Sequence, residues 1–165
     1  MTLTSLRAFA GRKSPDNTFE YARGTITILI DGMETDGAFS LIEVSQEPGG
    51  EPPLHVHERE DETFYVLEGE LAVWVGGEVH RLYPGDSILL PRGIPHTFRI
   101  KSAAARALNF ISPSGFENWF RILGTPANGR ELPGTVGPSP EQSIERFQEL
   151  SGRLGVRILG PSPEF

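Results

Sequence analysis

Between residues 20 and 112 short apolar runs alternate with turn residues, and within most runs the side chains alternate with a period of two. TITILI at 25–30, FSLIEV at 39–44, ETFYVLEG at 62–69, LAVWV at 71–75, EVHRL at 78–82, SILLP at 87–91, PHTFRI at 95–100 and RALNFIS at 106–112 are rich in β-branched and aromatic residues. Such residues fit a pleated, half-buried surface, so each run is predicted to be a strand. Asp31-Gly32, Pro48-Gly49-Gly50 and Pro84-Gly85-Asp86 punctuate the runs with turn-forming residues. Gly76-Gly77 stands between two alternating runs and predicts a two-residue hairpin. Many short antiparallel strands at regular spacing point to a sandwich or barrel.

The period changes after residue 112. Phe116, Trp119, Phe120 and Leu123 fall at i, i+3, i+4 and i+7, behind a Ser114/Glu117 capping-box pattern, and Gly124 stops the run. This predicts a short helix with one aromatic face. A Gly- and Pro-rich linker at 124–138 follows, and Ser139-Pro140-Glu141-Gln142 supplies an N-cap, a first-turn proline and a reciprocal Gln. A second helix is predicted over about 140–153, with Ile144, Phe147, Leu150 and Leu154 on one side, and VRILGP at 156–161 offers a last extended segment. Two amphipathic helices cannot build a core of their own, so they are expected to pack on the β-structure. The whole chain, 1–165, reads as one domain: a barrel over about 20–112 and a helical extension over about 114–165.

Composition narrows the function. Nineteen glycines and fourteen prolines in 165 residues make one residue in five, against about 12% in average proteins, which favours tight turns. With no cysteine, disulfides, thiolate metal sites and thiol nucleophiles are excluded. A net charge of −7 repels phosphate backbones and anionic lipid, so neither nucleic acid nor a membrane is an expected partner. The first fourteen residues contain Arg7, Arg12 and Lys13 but no signal-like apolar run, and the expected location is the cytoplasm.

Candidate chemistry gathers on three strands. His55 and His57 stand two apart, so a strand turns both to one face. Glu62 follows the polar run Glu58-Arg59-Glu60-Asp61, read as a solvated turn that returns Glu62 on the neighbouring strand to the same interior. His96 follows Pro91-Arg92-Gly93-Ile94-Pro95. Three imidazoles and a carboxylate suit one divalent transition metal (Fe, Ni, Co, Mn, Cu or Zn) and leave coordination positions open. His-x-His taken alone also describes a surface pair. Glu62 is a candidate general base as well as a ligand. Phe64 and Val66 share parity with Glu62, and Phe98 and Ile100 with His96, so these four are expected to line a substrate cavity. Asn109 is read as the neutral polar group near it, His80 as a surface residue, and Trp119 and Phe120 as core contacts.

The fixed spacings carry a family resemblance. Gly49, His55-x-His57, Glu62 and Gly69 follow one another with intervals of five, four and six residues, and Gly85, Pro91-x-Gly93 and His96 with intervals of five and two. These spacings resemble the two motifs of the cupin superfamily, with one departure: Ile100 stands where the second motif commonly ends in Asn. The resemblance implies a double-stranded β-helix, or jelly-roll barrel, with the two C-terminal helices packed on it. PPLHVHEREDETFYVLEGEL, the aromatic helix and the closing VRILGP stretch are similar to single-domain relatives of quercetin 2,3-dioxygenase. For such relatives it implies a metal held by His55, His57, Glu62 and His96. A flavonol would bind through its 3-hydroxyl, Glu62 would accept the proton, and dioxygen would cleave the heterocycle with release of carbon monoxide. The expected partners are thus a small molecule and dioxygen, in a homodimer as is common among cupins. A metal-cupin isomerase and a non-catalytic small-molecule binder or sensor remain alternatives.

Overall fold

The protein is described here as a computed structural model covering residues 7–129 and 140–165. After a short 3-10 turn at Pro15–Asn17 the chain forms β1 (Thr18–Tyr21), β2 (Gly24–Ile30), β3 (Ser40–Gln46), β4 (Leu54–His57), β5 (Asp61–Glu68), β6 (Leu71–Val75), β7 (Glu78–Leu82), β8 (Ser87–Leu90), β9 (His96–Ile100) and β10 (Ala105–Ser112). There follow α1 (Glu117–Leu123), β11 (Thr125–Pro126), α2 (Pro140–Leu154) and β12 (Val156–Gly160). One sheet has seven strands in the order β11-β1-β2-β3-β10-β5-β8, the other five in the order β12-β4-β9-β6-β7. All pairings are antiparallel, and the sheets face each other as a jelly-roll barrel.

The eight runs read from alternation are strands, with ends within two residues of those expected. Gly76 and Gly77 have φ of 57° and 99° between the paired residues Val75 and Glu78. Positive φ at both central positions is what a twisted two-residue hairpin demands, and glycine adopts it without strain. Two strands escaped the pattern. TFEY in β1 places Glu20 in its middle and β11 has only two residues, so neither offers a hydrophobic period to count.

Two apolar clusters fill the barrel and its flank. Val66, Leu71, Val73, Leu82, Leu90 and Ile100 form a plug between the sheets. Phe116 and, from α1, Trp119 and Phe120 join Phe19, Ile28 and Leu150 in the other, with Phe147 of α2 packed against it. The helices thus pack on the barrel and share its core. α1 does not start from the expected capping box. Phe116 occupies the cap position, and the buried Glu117 carboxylate accepts the backbone N–H groups of Gly115 (2.6 Å) and Gly32 (3.2 Å). Glu117 therefore ties the helix to the β2–β3 connection instead of to Ser114. The expected cap at Ser139 and most of the 124–138 linker lie outside the described residues. β12 pairs with β4, so the C-terminal segment forms the edge of the histidine-bearing sheet. Among the described residues no helix is long and apolar enough to cross a membrane.

Candidate metal centre

β4 turns His55 and His57 to one face, and register sets His55 directly opposite His96 of β9. Glu62 arrives from the other sheet. The chain crosses between sheets at 58–60, so Glu62 is not on a strand beside β4, as expected, but faces the histidines across the barrel. All four side chains are buried, and one donor atom from each lies within 4.8 Å of all the others. The His55 and His96 rings meet edge to face at 4.5 Å, and His57 stacks on His96 at 5.6 Å.

The hydrogen bonds of this cluster leave a positive charge wanting. Nδ1 of His55 bonds the Pro53 carbonyl and Nδ1 of His96 the Ile94 carbonyl, each at 2.9 Å. A carbonyl only accepts, so both Nδ1 atoms carry hydrogen; a ring that is neutral then presents a lone pair at Nε2, and a protonated one an N–H. Nε2 of His96 nonetheless stands 3.1 Å from Oε2 of Glu62, and Nε2 of His57 3.4 Å from the same oxygen. Lone pairs face a carboxylate there unless a proton or a metal ion intervenes. Both ring nitrogens of His57 are buried without a hydrogen bond, a state that native interiors rarely leave uncompensated. The donor set fits a divalent transition ion.

Three groups lie against these side chains and their strands. Asn109 of β10 donates its amide to Oε1 of Glu62 at 2.7 Å, leaving Oε2 toward the histidines. Glu60 is buried at 4% exposure with Oε2 3.5 Å from Nδ1 of His57. A carboxylate behind a ligating imidazole fixes its orientation and raises its basicity. This corrects the reading of Glu58–Asp61 as wholly solvated: Glu58 and Arg59 are exposed, but Glu60 turns inward. Gly93, at φ 77°, donates its N–H to the His57 carbonyl at 2.7 Å, which explains the glycine between Arg92 and Ile94. On the outside Arg92 clamps Asp61 at 2.7 Å, and its guanidinium holds that carboxyl down at about 2.

Charge and burial compete inside the cluster. Burial, reinforced by the charge of His96, pushes His55 down to about 4. Burial also opposes charge on His57, yet the carboxylates of Glu62 and Glu60 outweigh it and raise this imidazole above its usual value. For Glu62 burial favours the neutral acid, but the charge of His57 and the hydrogen bond from His96 prevail and hold the carboxyl well below its usual range. Glu62 is therefore an ionised carboxylate deep in the protein, stabilised by the imidazoles around it.

The cluster opens onto a cavity of about 210 Å³. Phe64 and Phe98 line it, together with the cap residue Phe116 and Trp119 and Phe120 of α1. Val66 and Ile100, expected on the same surface by parity, are instead part of the plug, one inward position further along their strands. Asn109 lines the cavity, but it is joined there by Gln46 and Tyr21, whose polar tips strand parity did not single out. Tyr21 accepts the Trp119 indole N–H at 2.9 Å, and burial raises its phenol against the lowering effect of that bond. Trp119 and Phe120 serve both core and cavity wall. No Lys or Arg lines the cavity among the described residues. His80 is on the surface, near Glu78.

Barrel and donor set together define a jelly-roll protein with three histidines and one glutamate converging on a largely apolar cavity. The family profile of the Cupin domain matches residues 42–111. The chain is 35% identical over 148 residues to quercetin 2,3-dioxygenase of Bacillus subtilis, across 90% of this chain and 43% of that protein. It is 30% identical over 168 residues to germin-like protein subfamily 2 member 1 of Arabidopsis thaliana, across 93% of this chain and 72% of that one. The chain spans less than half the length of the Bacillus enzyme. A solved structure of a predicted oxalate decarboxylase from Thermotoga maritima superposes with TM-score 0.56 at 20% identity, over 64% of this chain and 99% of that one. The chain belongs to the cupin family, and it resembles the quercetin dioxygenases within it.

Proposed function

We propose that this chain is a metal-dependent oxidoreductase that uses dioxygen to cleave a flavonol or a similar aromatic enol. His55, His57, Glu62 and His96 would hold one divalent transition ion. The observation that carries the reading is the convergence of four buried donors within 4.8 Å at the head of an apolar cavity. Similarity to the Bacillus enzyme supports the choice of reaction. A transition ion in this donor set supplies Lewis acidity toward an enol oxygen and electron transfer toward dioxygen.

The remaining work falls to the side chains. The rings of Phe64, Phe98 and Phe116 line the cavity and would exclude water around an aromatic substrate. Asn109 keeps Oε1 of Glu62 occupied, and Oε2 would take the enol proton, breaking one O–H bond as another forms. Glu60 steadies His57 from behind. The lack of a lining cation among the described residues disfavours phosphate-bearing substrates, and with them a sugar-phosphate isomerase.

The test is reconstitution with each metal in turn, followed by metal analysis and oxygen-electrode recording with quercetin. One ion per chain with oxygen uptake is the expected result. His96→Ala should abolish metal loading, whereas His80→Ala should leave it intact; equal losses overturn the ligand assignment. Quercetin binding without uptake under any metal would turn the reading to a carrier.

A further inference from the structure

A second, smaller void lies behind the aromatic rings of the cavity. Its volume is about 10 Å³, close to the roughly 10–15 Å³ that a single water needs. Val44, Gln46, Phe64 and Phe98 wall both spaces, so void and cavity share one partition. Leu71, Ile100, Ala105 and Ala107 close the far side, and all four are buried. None of the four metal-site donors touches it. The void arises along β10, whose inward side chains run Asn109, Ala107, Ala105. Pairing sets Asn109 beside Phe64 and Ala107 beside Val66, so the two alanines fall at the depth of the plug. Side chains this small leave space there that the close-packed interior otherwise fills.

The chemistry of the wall decides what such a space holds. Gln46 is its only polar side chain among the described residues, and Nε2 is committed to the carbonyls of Ala22 and Gly50 at 2.7 Å each. Oε1 of Gln46 would offer a water one hydrogen bond, where a buried water makes about three. Ile100, standing where the second motif commonly has Asn, adds no polar atom. Apolar voids of this kind stay dry and take up small apolar guests. The Phe64 and Phe98 rings meet edge to face at 5.8 Å, each one inward position from the donors Glu62 and His96. They stand between the void and the cluster. An aromatic substrate at the cluster has a cavity of only about 210 Å³, below the roughly 300–1,000 Å³ of ordinary ligand pockets, and leaves little room beside itself. We infer that the void behind Phe64 and Phe98 is a holding site for dioxygen, which reaches the cluster past these rings while the substrate fills the cavity. This deepens the proposed function and rests on its reading of the reaction as oxygen-consuming.

Krypton, a small apolar atom located by its anomalous scattering, stands in for dioxygen in the first experiment. Crystals of the full chain pressurised with krypton should show it between Leu71, Ile100 and Ala107; no krypton in the void overturns the inference. Ala107→Val fills the space with two further carbons and should remove that peak. The second experiment records oxygen uptake by the metal-loaded chain at saturating quercetin. Ala107→Val should raise the KM for dioxygen by about 3- to 10-fold, with kcat and the KM for quercetin within about twofold of wild type. An unchanged KM for dioxygen alongside the lost krypton overturns the holding site and leaves the reaction standing. No uptake by the wild-type chain under any metal overturns the proposed function itself, and this inference with it. Should Ala107→Val not fold, Ile100→Val enlarges the void by one carbon, a change that cores tolerate. That variant should hold more krypton and show a lower KM for dioxygen, and if neither changes the inference falls.

Discussion

Along β5 the inward side chains run Glu62, Phe64, Val66, and along β9 they run His96, Phe98, Ile100. Both strands pass from a donor through an aromatic ring to an aliphatic plug, so two ends of one barrel are built from the same strands by different means. At the plug, Leu71, Leu82 and Leu90 need only fill space, and each contact is interchangeable with others of similar volume. At the donor end every polar atom needs a partner; the Pro53 and Ile94 carbonyls and the Asn109 amide supply three, while His57 has the Glu60 carboxylate 3.5 Å away and no hydrogen bond. Stability is concentrated where identity matters least, and chemistry where a single missing partner is felt. The plug also gives the donors a rigid base, since the strands that carry Glu62 and His96 are anchored a few residues further on.

This contrast predicts effects of different kind as well as size. Glu62→Gln removes the charge but keeps the shape, and should lower turnover by about 10²–10⁴-fold while global stability is retained. Oxygen uptake and metal content measured on the same sample separate its duties: metal retained with turnover lost marks it as the proton acceptor, and both lost together mark it as chiefly a ligand. Undiminished turnover would remove Glu62 from the mechanism. Leu90→Ala, at 1% exposure in the plug, should do the reverse. Urea unfolding should show a loss of about 2–5 kcal/mol, with metal per folded chain unchanged. If that variant also lost its metal, the two ends would not be separable.

Glu60→Gln tests whether support from behind a ligand matters. Metal affinity, read by competition with a chelator, should fall by about 10- to 100-fold with little change in unfolding free energy. Unaltered affinity would reduce Glu60 to a buried structural residue. The smallest effect is expected at Trp119→Phe, which keeps the aromatic wall but deletes the indole N–H given to Tyr21. A loss of about 0.5–1.5 kcal/mol in urea unfolding, with no change in metal content, would assign that bond to the wall alone.

Much of this was legible in the chain. Alternation located eight strands, and the His-x-His spacing put two imidazoles on one face because a strand permits nothing else. Parity along β5 and β9 named the right inward residues but carried no measure of depth, so Val66 and Ile100 were read as cavity when they are plug. Glu60 was unreadable for a related reason. In a run of four charged residues, local pattern gives no ground for burying one, and only the crossing from one sheet to the other turns Glu60 toward His57. Tyr21 reaches the cavity because β1 lies beside β2 at the far side of the seven-stranded sheet, a placement set by long-range pairing.

Residue identity and spacing by themselves determined the strands, the turns and the ligand types, because these depend on backbone sterics and side-chain period within a few residues. Tertiary structure alone decided which sheet carries Glu62, how deep each inward residue lies, and which end of the Asn109 amide meets Glu62. Those are distances between segments far apart in sequence, set by how two sheets close on each other, and no local rule encodes them.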